Sequence, residues 1–269
     1  MLSQADHRKL MIPLCASCAL MVSSCALFVS GNAGRVECPT ADVKQIVLVI
    51  TSDWNDSTGS LQTFERKSLG GAWMAVSSPI PVDVGRNGLG WGIGLHGEAV
   101  DNGPVKREGD GKSPAGVFRI GEVFGYASAD SARLFKMPYE PLTSITQCID
   151  DAKSEYYNLL LDSTDVKNAH WKSNEVMNGI DSLYLWGAFV DHNTSPRIEG
   201  RGSCIFLHIW EGPGRPTAGC TAMSQSILIS ILRWLDPTKR PVLVQLPMDE
   251  YQKLRLRWDL PMAEYAEIR

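Results

Sequence analysis

The chain lacks any excess of basic residues. Its 269 residues include 26 Lys and Arg against 30 Asp and Glu, which gives a formal net charge of −4. No basic cluster interrupts this balance, so nucleic acid is excluded as an expected partner. Repeats and long low-complexity segments are also missing, and the roughly 235 residues behind the N-terminal leader suffice for one sizeable core.

Histidine is scarce as well, with five residues in the whole chain. His96 is followed by Glu98 and Asp101, but this spacing is not that of a His-Glu-x-x-His motif and no second histidine lies close by. We therefore expect no metal and no other cofactor. His96 stays a candidate for lining a cleft in front of the Gly-Asp-Gly turn that begins at Gly109.

Residues 1–33 resemble a secretory leader. Arg8 and Lys9 precede a nearly uncharged apolar run that reaches about residue 30, at the lower edge of the length that spans a membrane. The leader predicts export to the periplasm or cell envelope. Three outcomes stay open: cleavage near Ala33, retention as a membrane anchor, or lipidation at Cys25, which ends a lipobox-like Val-Ser-Ser-Cys.

An apolar run at 204–210 predicts a strand that carries a histidine. Alternation places His208 on the face opposite Ile205, Leu207 and Ile209, which predicts that the imidazole is partly desolvated. A Thr/Gly/Pro-rich loop follows and ends at Cys220, and an amphipathic helix is predicted over 224–235. We place Cys220 near the positive end of this helix, where a thiolate is favoured. A cysteine with a neighbouring imidazole is a nucleophile and its base.

Two motifs together resemble the L,D-transpeptidase (YkuD) catalytic domain of bacterial cell-wall enzymes. One is His208 followed by the Thr-Ala-Gly-Cys sequence that ends at Cys220. The other is Gly-Asp-Gly-Lys-Ser-Pro-Ala-Gly-Val-Phe at 109–118. The resemblance covers roughly 43–247, and we expect the catalytic domain to extend over 40–260.

The resemblance implies the role of each motif residue. Cys220 is the acylated nucleophile and His208 is its general base. The oxyanion hole lies in the loop of Thr217, Ala218 and Gly219 and is formed by the backbone amides near Ala218, Gly219 and Cys220. The implied substrates are peptidoglycan stem peptides.

The sequence departs from the common family pattern at the nucleophile. Ala218 stands where a histidine is usual, and Thr221-Ala222-Met223 replaces the usual residues after the cysteine. The reaction therefore stays open between transpeptidation and hydrolysis of the same bonds, by a carboxypeptidase or an amidase that releases wall-linked protein. An inactive peptidoglycan-binding scaffold is the alternative outside the enzymes.

Four cysteines follow the leader. If Cys220 stays a thiol, an odd number is left, and we predict a disulfide between Cys148 and Cys204 with Cys38 unpaired. The alternative is that all four are buried thiols. An oxidising compartment favours the disulfide.

Cationic and aromatic residues beside the motifs are candidates for substrate binding. Arginine and lysine suit the carboxylates of a stem peptide, and an aromatic side chain can wall the site. The candidates are Lys106, Arg107, Arg215, Trp210 and His96. The long polar insertion at 125–180 is predicted to be either a lid over the cleft or a surface excursion.

Short apolar segments separated by Gly, Pro, Asn and Asp dominate the remaining sequence. They predict an α+β, mostly β fold, a sandwich or barrel-like domain with a few helices and a long inserted loop region. The predicted strands are 45–51, 61–66, 72–76, 116–120, 157–162, 183–190, 204–210 and 242–246, with a terminal helix over 248–258.

Overall fold

The computed structural model of the protein describes residues 38–98, 100–167, 169–178 and 182–264. The predicted leader, including Cys25, lies outside this range. No helix in the described part of the chain is long and apolar enough to cross a membrane.

Strands dominate the described residues, and helices are few. The strands are β1 (Gln45–Thr51), β2 (Thr58–Glu65), β3 (Met74–Ala75), β4 (Ile80–Asp83), β5 (Leu89–Trp91), β6 (Ser113–Gly125), β7 (Tyr139–Pro141), β8 (Thr146–Cys148), β9 (Leu160–Asp162), β10 (Glu175–Val176), β11 (Gly187–Val190), β12 (Phe206–Ile209), β13 (Thr221–Met223) and β14 (Val242–Pro247). The helices are α1 (Ala129–Ala132), α2 (Gln225–Trp234) and α3 (Met248–Leu254), with a 3-10 turn at Pro237–Lys239. The predicted mostly β class is confirmed.

The main sheet closes on itself. Its hydrogen-bonded order is β1-β14-β6-β11-β12-β13-β4-β2, and β1 pairs with β2 as well as with β14. Closure encloses the core and removes free edges along this path. All seven residues of β1 are buried, which explains its continuous apolar run. Helix α2 covers the sheet with Leu228, Ile231 and Leu232.

The catalytic-motif region differs from its prediction at one element. Strand β13 follows Cys220 directly and runs parallel to β12, with His208 opposite Ala222. The predicted position of Cys220 at the positive end of the next helix is wrong, because β13 intervenes and α2 begins only at Gln225. A helix dipole acts within about one turn, so α2 does not stabilise the thiolate.

The insertion at 125–180 carries its own small sheet, in the order β10-β8-β9. A disulfide joins Cys148 of β8 to Cys204, just before β12, and this is the pairing that the cysteine count favours. The buried Asn158 adds a second link, since its Oδ1 accepts the Cys204 N–H at 2.9 Å. Its Nδ2 donates to the carbonyls of His192 and Asn193, both at 2.9 Å. The insertion is therefore bound firmly to the strand that bears His208.

Candidate active site

Strand β12 separates the core from a cleft. Ile205, Leu207 and Ile209 belong to the main hydrophobic core, whereas Phe206 packs with Cys220 in a second cluster. His208 and Cys220 line one cleft with a volume of about 360 Å³. Alternation along one strand thus places the imidazole on the same side as the sulfur.

The sulfur of Cys220 lies in a backbone cradle. Sγ accepts the N–H of Phe206 at 3.3 Å and donates to the carbonyl of Cys204 at 3.4 Å. Burial raises the pKa of the Cys220 thiol, and the negative charge of Glu175 raises it further. The Phe206 N–H and Lys106 lower that pKa by a smaller amount. The resting sulfur is therefore a protonated thiol, and the thiolate has to form during reaction.

His208 is held in one tautomer. Its Nδ1 lies 2.7 Å from the carbonyl oxygen of Ile209. A carbonyl only accepts, so the proton sits on Nδ1 and Nε2 is the basic nitrogen. The ring of Tyr184 packs edge-on against the imidazole, with 5.4 Å between centroids. This arrangement is what a general base requires: a fixed ring and a defined basic atom.

The loop before Cys220 is shaped by the hydroxyl of Thr217. Its Oγ1 accepts the N–H of Gly219 at 3.0 Å and donates to the carbonyl of Cys220 at 2.6 Å. The N–H of Thr217 itself donates to Val84. The amides of Thr217 and Gly219 are thus already used, which corrects their predicted place as oxyanion donors. The amides of Ala218 and Cys220 are the donors that this loop can offer.

The Gly-Asp-Gly segment supports the same loop. The buried Ser113 donates through Oγ to the Cys220 carbonyl at 3.0 Å and accepts the Gly85 N–H at 2.8 Å. Asp110 folds the turn by accepting the N–H groups of Lys112 at 2.9 Å and Arg107 at 2.7 Å. The two sequence motifs are therefore two halves of one hydrogen-bonded support for Cys220.

Three of the predicted substrate-binding residues line the cleft: Lys106, Trp210 and Arg215. Arg215 is exposed, and its backbone N–H donates to Asp83 at 3.2 Å. Lys106 is buried and paired with Asp110. Arg107 is exposed and is not among the residues that line the cleft, so its substrate contact stays a prediction. Arg107 follows Lys106 directly in the sequence, but its side chain does not line the cleft, because neighbouring side chains point in different directions.

The prediction that His96 lines the cleft is wrong. His96 is a core residue whose ring contacts Trp91, Phe118 and Trp258. Its Nδ1 accepts the N–H of Val117 at 3.1 Å, and burial lowers its pKa to about 4. The ring packs directly on the motif glycine at 116, where an added Cβ would lie 2.0 Å from His96 Cε1. His96 thus explains why this motif requires a glycine.

His192 is a second buried histidine with a structural role. His192 accepts the N–H of Ile93 through Nδ1 at 3.2 Å, and its Nε2 donates to the carbonyl of Arg201 at 2.9 Å. Burial lowers its pKa to about 3, so it is neutral at physiological pH. His170 is exposed in the insertion. In the described part of the chain, no group of three His, Cys, Asp or Glu side chains could hold a metal ion.

Sequence reasoning missed several residues of the cleft wall. Arg86 stands beside the loop, where its backbone N–H donates to Thr217 at 2.9 Å. Asp150 and Glu175 come from the insertion, and Glu175 accepts the hydroxyl proton of Tyr184. No local motif marks Asp150 and Glu175, since the disulfide and Asn158 bring the insertion to the cleft from far away in sequence.

Comparison with known proteins identifies the family. The family of L,D-transpeptidase catalytic domains (YkuD) matches residues 78–244, which is more than half of the chain. The chain belongs to this family of enzymes, whose activity is of the L,D-transpeptidase type and directed at peptidoglycan. A family that acts on the cell wall is consistent with a location in the envelope.

No curated protein matches the chain. Among solved structures, the helical cell shape determining protein Pgp2 from Campylobacter jejuni is similar, with 13% identity and a TM-score of 0.36. That similarity covers 76% of this chain and 48% of the other, so this chain spans about half the length of that structure.

Proposed function

We propose that this protein is an acyltransferase that cleaves peptidoglycan stem peptides through a thioester on Cys220. The observation that carries the proposal is that Cys220 and a tautomer-defined His208 line one cleft. Nε2 is the atom that receives the thiol proton. The family match supports the substrate class.

The reaction proceeds in two balanced halves. Sγ of Cys220 attacks the carbonyl carbon of a stem-peptide bond while its proton passes to His208 Nε2. The amides of Ala218 and Cys220 stabilise the oxyanion of the tetrahedral intermediate. Collapse breaks the C–N bond, the leaving amine takes the proton from His208, and the thioester remains. An incoming amine then attacks the thioester, loses a proton to His208 and releases the thiol.

The charges of the cleft fit a substrate with both carboxylates and amines. Arg86 and Arg215 are exposed cations at its wall and suit carboxylates of the donor stem. Asp150 and Glu175 are acidic groups on the insertion side and suit an ammonium group of the acceptor. An acceptor held by this acidic wall would favour transpeptidation over hydrolysis once its ammonium has lost a proton to solvent, because the neutral amine then attacks the thioester. Trp210 supplies an apolar part of the cleft wall.

The catalytic domain, on this proposal, extends beyond the matched region to residues 40–260. Strands β1 and β2 precede residue 78, yet they close the main sheet. Trp258 packs on Trp91 and His96 in the core at the other end. Export by the leader would deliver this domain to the compartment of its substrate.

Mass spectrometry of muropeptides tests the proposal. Disaccharide-tetrapeptide is incubated with the protein, with Cys220→Ala as the inactive control and Cys38→Ser as the control for the second free cysteine of the described residues. We expect cross-linked dimers with the wild type and Cys38→Ser, and none with Cys220→Ala. Tripeptide without dimer would identify a carboxypeptidase. Equal inactivity of all three proteins on free stems and on wall-linked protein would leave only a binding scaffold and would refute the proposal.

A further inference from the structure

The side chain of Lys106 is buried beside the nucleophile loop rather than extended toward solvent. Only 4% of it is exposed. Its backbone N–H donates to the carbonyl of Trp91 at 3.0 Å, which anchors the segment next to β5. The aliphatic chain passes Gly202, where an added Cβ would lie 3.0 Å from Lys106 Cε. The ammonium group is therefore held in one place.

Two of the three N–H groups of this ammonium are used by neighbouring acceptors. Nζ donates to the carbonyl of Arg107 at 2.7 Å and to Asp110 Oδ1 at 2.6 Å. An ammonium has three N–H groups, so two are used by these acceptors. The Cβ position of Gly219 lies 3.8 Å from Nζ, and Lys106 lines the cleft together with Cys220. The Lys106 ammonium is thus beside the loop where charge develops during acylation.

We infer that Lys106 is a fixed cation that stabilises the negative charge developing at Cys220 and the adjacent oxyanion, acting as a positioning residue rather than as a ligand for substrate carboxylates. This inference rests on Cys220 being the nucleophile of the proposed function. A buried, preorganised charge is effective because it need not reorganise when the reaction occurs. Lys106 also lowers the pKa of Cys220, in opposition to burial and Glu175.

Several charged groups surround Cys220, so the effect of Lys106 has to be distinguished from theirs. Lys106 and Glu175 act on its thiol with opposite signs. The other titratable and charged groups that line the cleft are Arg86, Glu108, Asp150, Tyr184, His208, Glu211 and Arg215. Arg107 offers a matched control, because it carries the same charge one residue away but does not line the cleft.

Alkylation of Cys220 by iodoacetamide tests the inference without any peptidoglycan. The second-order rate at fixed pH reports the thiolate fraction, and Cys38→Ser removes the other free thiol of the described residues. Mapping of the alkylated peptides separates Cys220 from Cys15, Cys18 and Cys25 of the leader. We expect Lys106→Met to lower the rate about tenfold, which corresponds to one unit in the thiol pKa, and Arg107→Met to leave it unchanged. Equal rates for wild type and Lys106→Met would overturn the inference, whatever the activity on muropeptides.

Two further readouts protect the test against a folding defect. Asp110→Asn keeps Lys106 but removes its counter-charge, so we expect faster alkylation than in the wild type, a change opposite to that of Lys106→Met. With muropeptide substrate, Lys106→Met should lower kcat with little change in KM. A raised KM with unchanged kcat and alkylation would instead make Lys106 a substrate ligand.

Discussion

The carbonyl oxygen of Cys220 provides a stringent test of how the nucleophile loop is held. It accepts two side-chain hydroxyl donors, Ser113 Oγ at 3.0 Å and Thr217 Oγ1 at 2.6 Å. Each hydroxyl also satisfies a buried backbone N–H, that of Gly85 or that of Gly219. Each single variant, Ser113→Ala or Thr217→Val, thus leaves one backbone N–H without an acceptor. The Cys220 carbonyl keeps one of its two donors.

The expected loss in free energy of unfolding depends on how many buried polar groups lose their hydrogen-bond partner. A buried polar group without a partner costs about 1–3 kcal/mol, so each single variant should lower the free energy of unfolding by that amount. The double variant leaves both N–H groups without an acceptor, and it also leaves the Cys220 carbonyl without a side-chain donor. It should therefore cost about 1–3 kcal/mol more than the sum of the two single variants.

Urea unfolding followed by tryptophan fluorescence measures this coupling energy. Thr217→Ser keeps the hydroxyl and serves as the matched control, with stability close to that of the wild type. The coupling would also appear in catalysis, because the loop places the Cys220 amide. Additive costs in the double-mutant cycle would refute the shared support of the two motifs.

Three other predictions concern the disulfide, a core histidine and the insertion. Replacing Cys148 and Cys204 together by Ala should lower the free energy of unfolding by about 4 kcal/mol on the chain-entropy model for a sequence separation of 56; a loss below about 1 kcal/mol in urea unfolding would contradict it. The pKa of His96 is lowered from 6.5 to about 4 in the folded protein. Between these two pH values the unfolded chain binds a proton that the folded protein does not bind, so stability falls as the pH drops from 6.5 to about 4. His96→Gln should remove about 3 kcal/mol of that fall between pH 7 and 4, and equal pH slopes for both proteins would disprove this. Glu175→Gln should speed alkylation of Cys220 several-fold at pH 8, since it removes a negative charge that raises the thiol pKa; slower alkylation would exclude that effect.

Hydrophobic periodicity predicted those strands that show a local apolar or alternating pattern of their own. The fully buried run of β1 was predicted with its observed ends, and alternation along β12 placed His208 opposite the core residues. Strand β12 itself is shorter than predicted, since Cys204 has a positive φ of 54° and is tied to Asn158. Helix α2 was predicted within a residue of its ends because Ser224 and Pro237 bracket it.

Elements that depend on distant partners could not be predicted from the sequence. Strand β13 has only three residues, and its pairing with β12 defines it rather than any pattern of its own. Helix α3 ends at Leu254, four residues before the predicted end, and the chain turns there to bring Trp258 into the core. Glu175 reaches the cleft because the disulfide holds the insertion in place.

The most direct test of the account is to trap the acyl-enzyme. The protein is mixed with disaccharide-tetrapeptide, quenched in acid within seconds and weighed intact, and the modified peptide is then mapped. We predict a mass increase equal to the acyl part of the donor stem on Cys220, released by hydroxylamine and absent from Cys220→Ala and His208→Ala. Turnover of the muropeptide by Cys220→Ala, or an acyl group on any other residue, would contradict the assignment of Cys220 as the nucleophile.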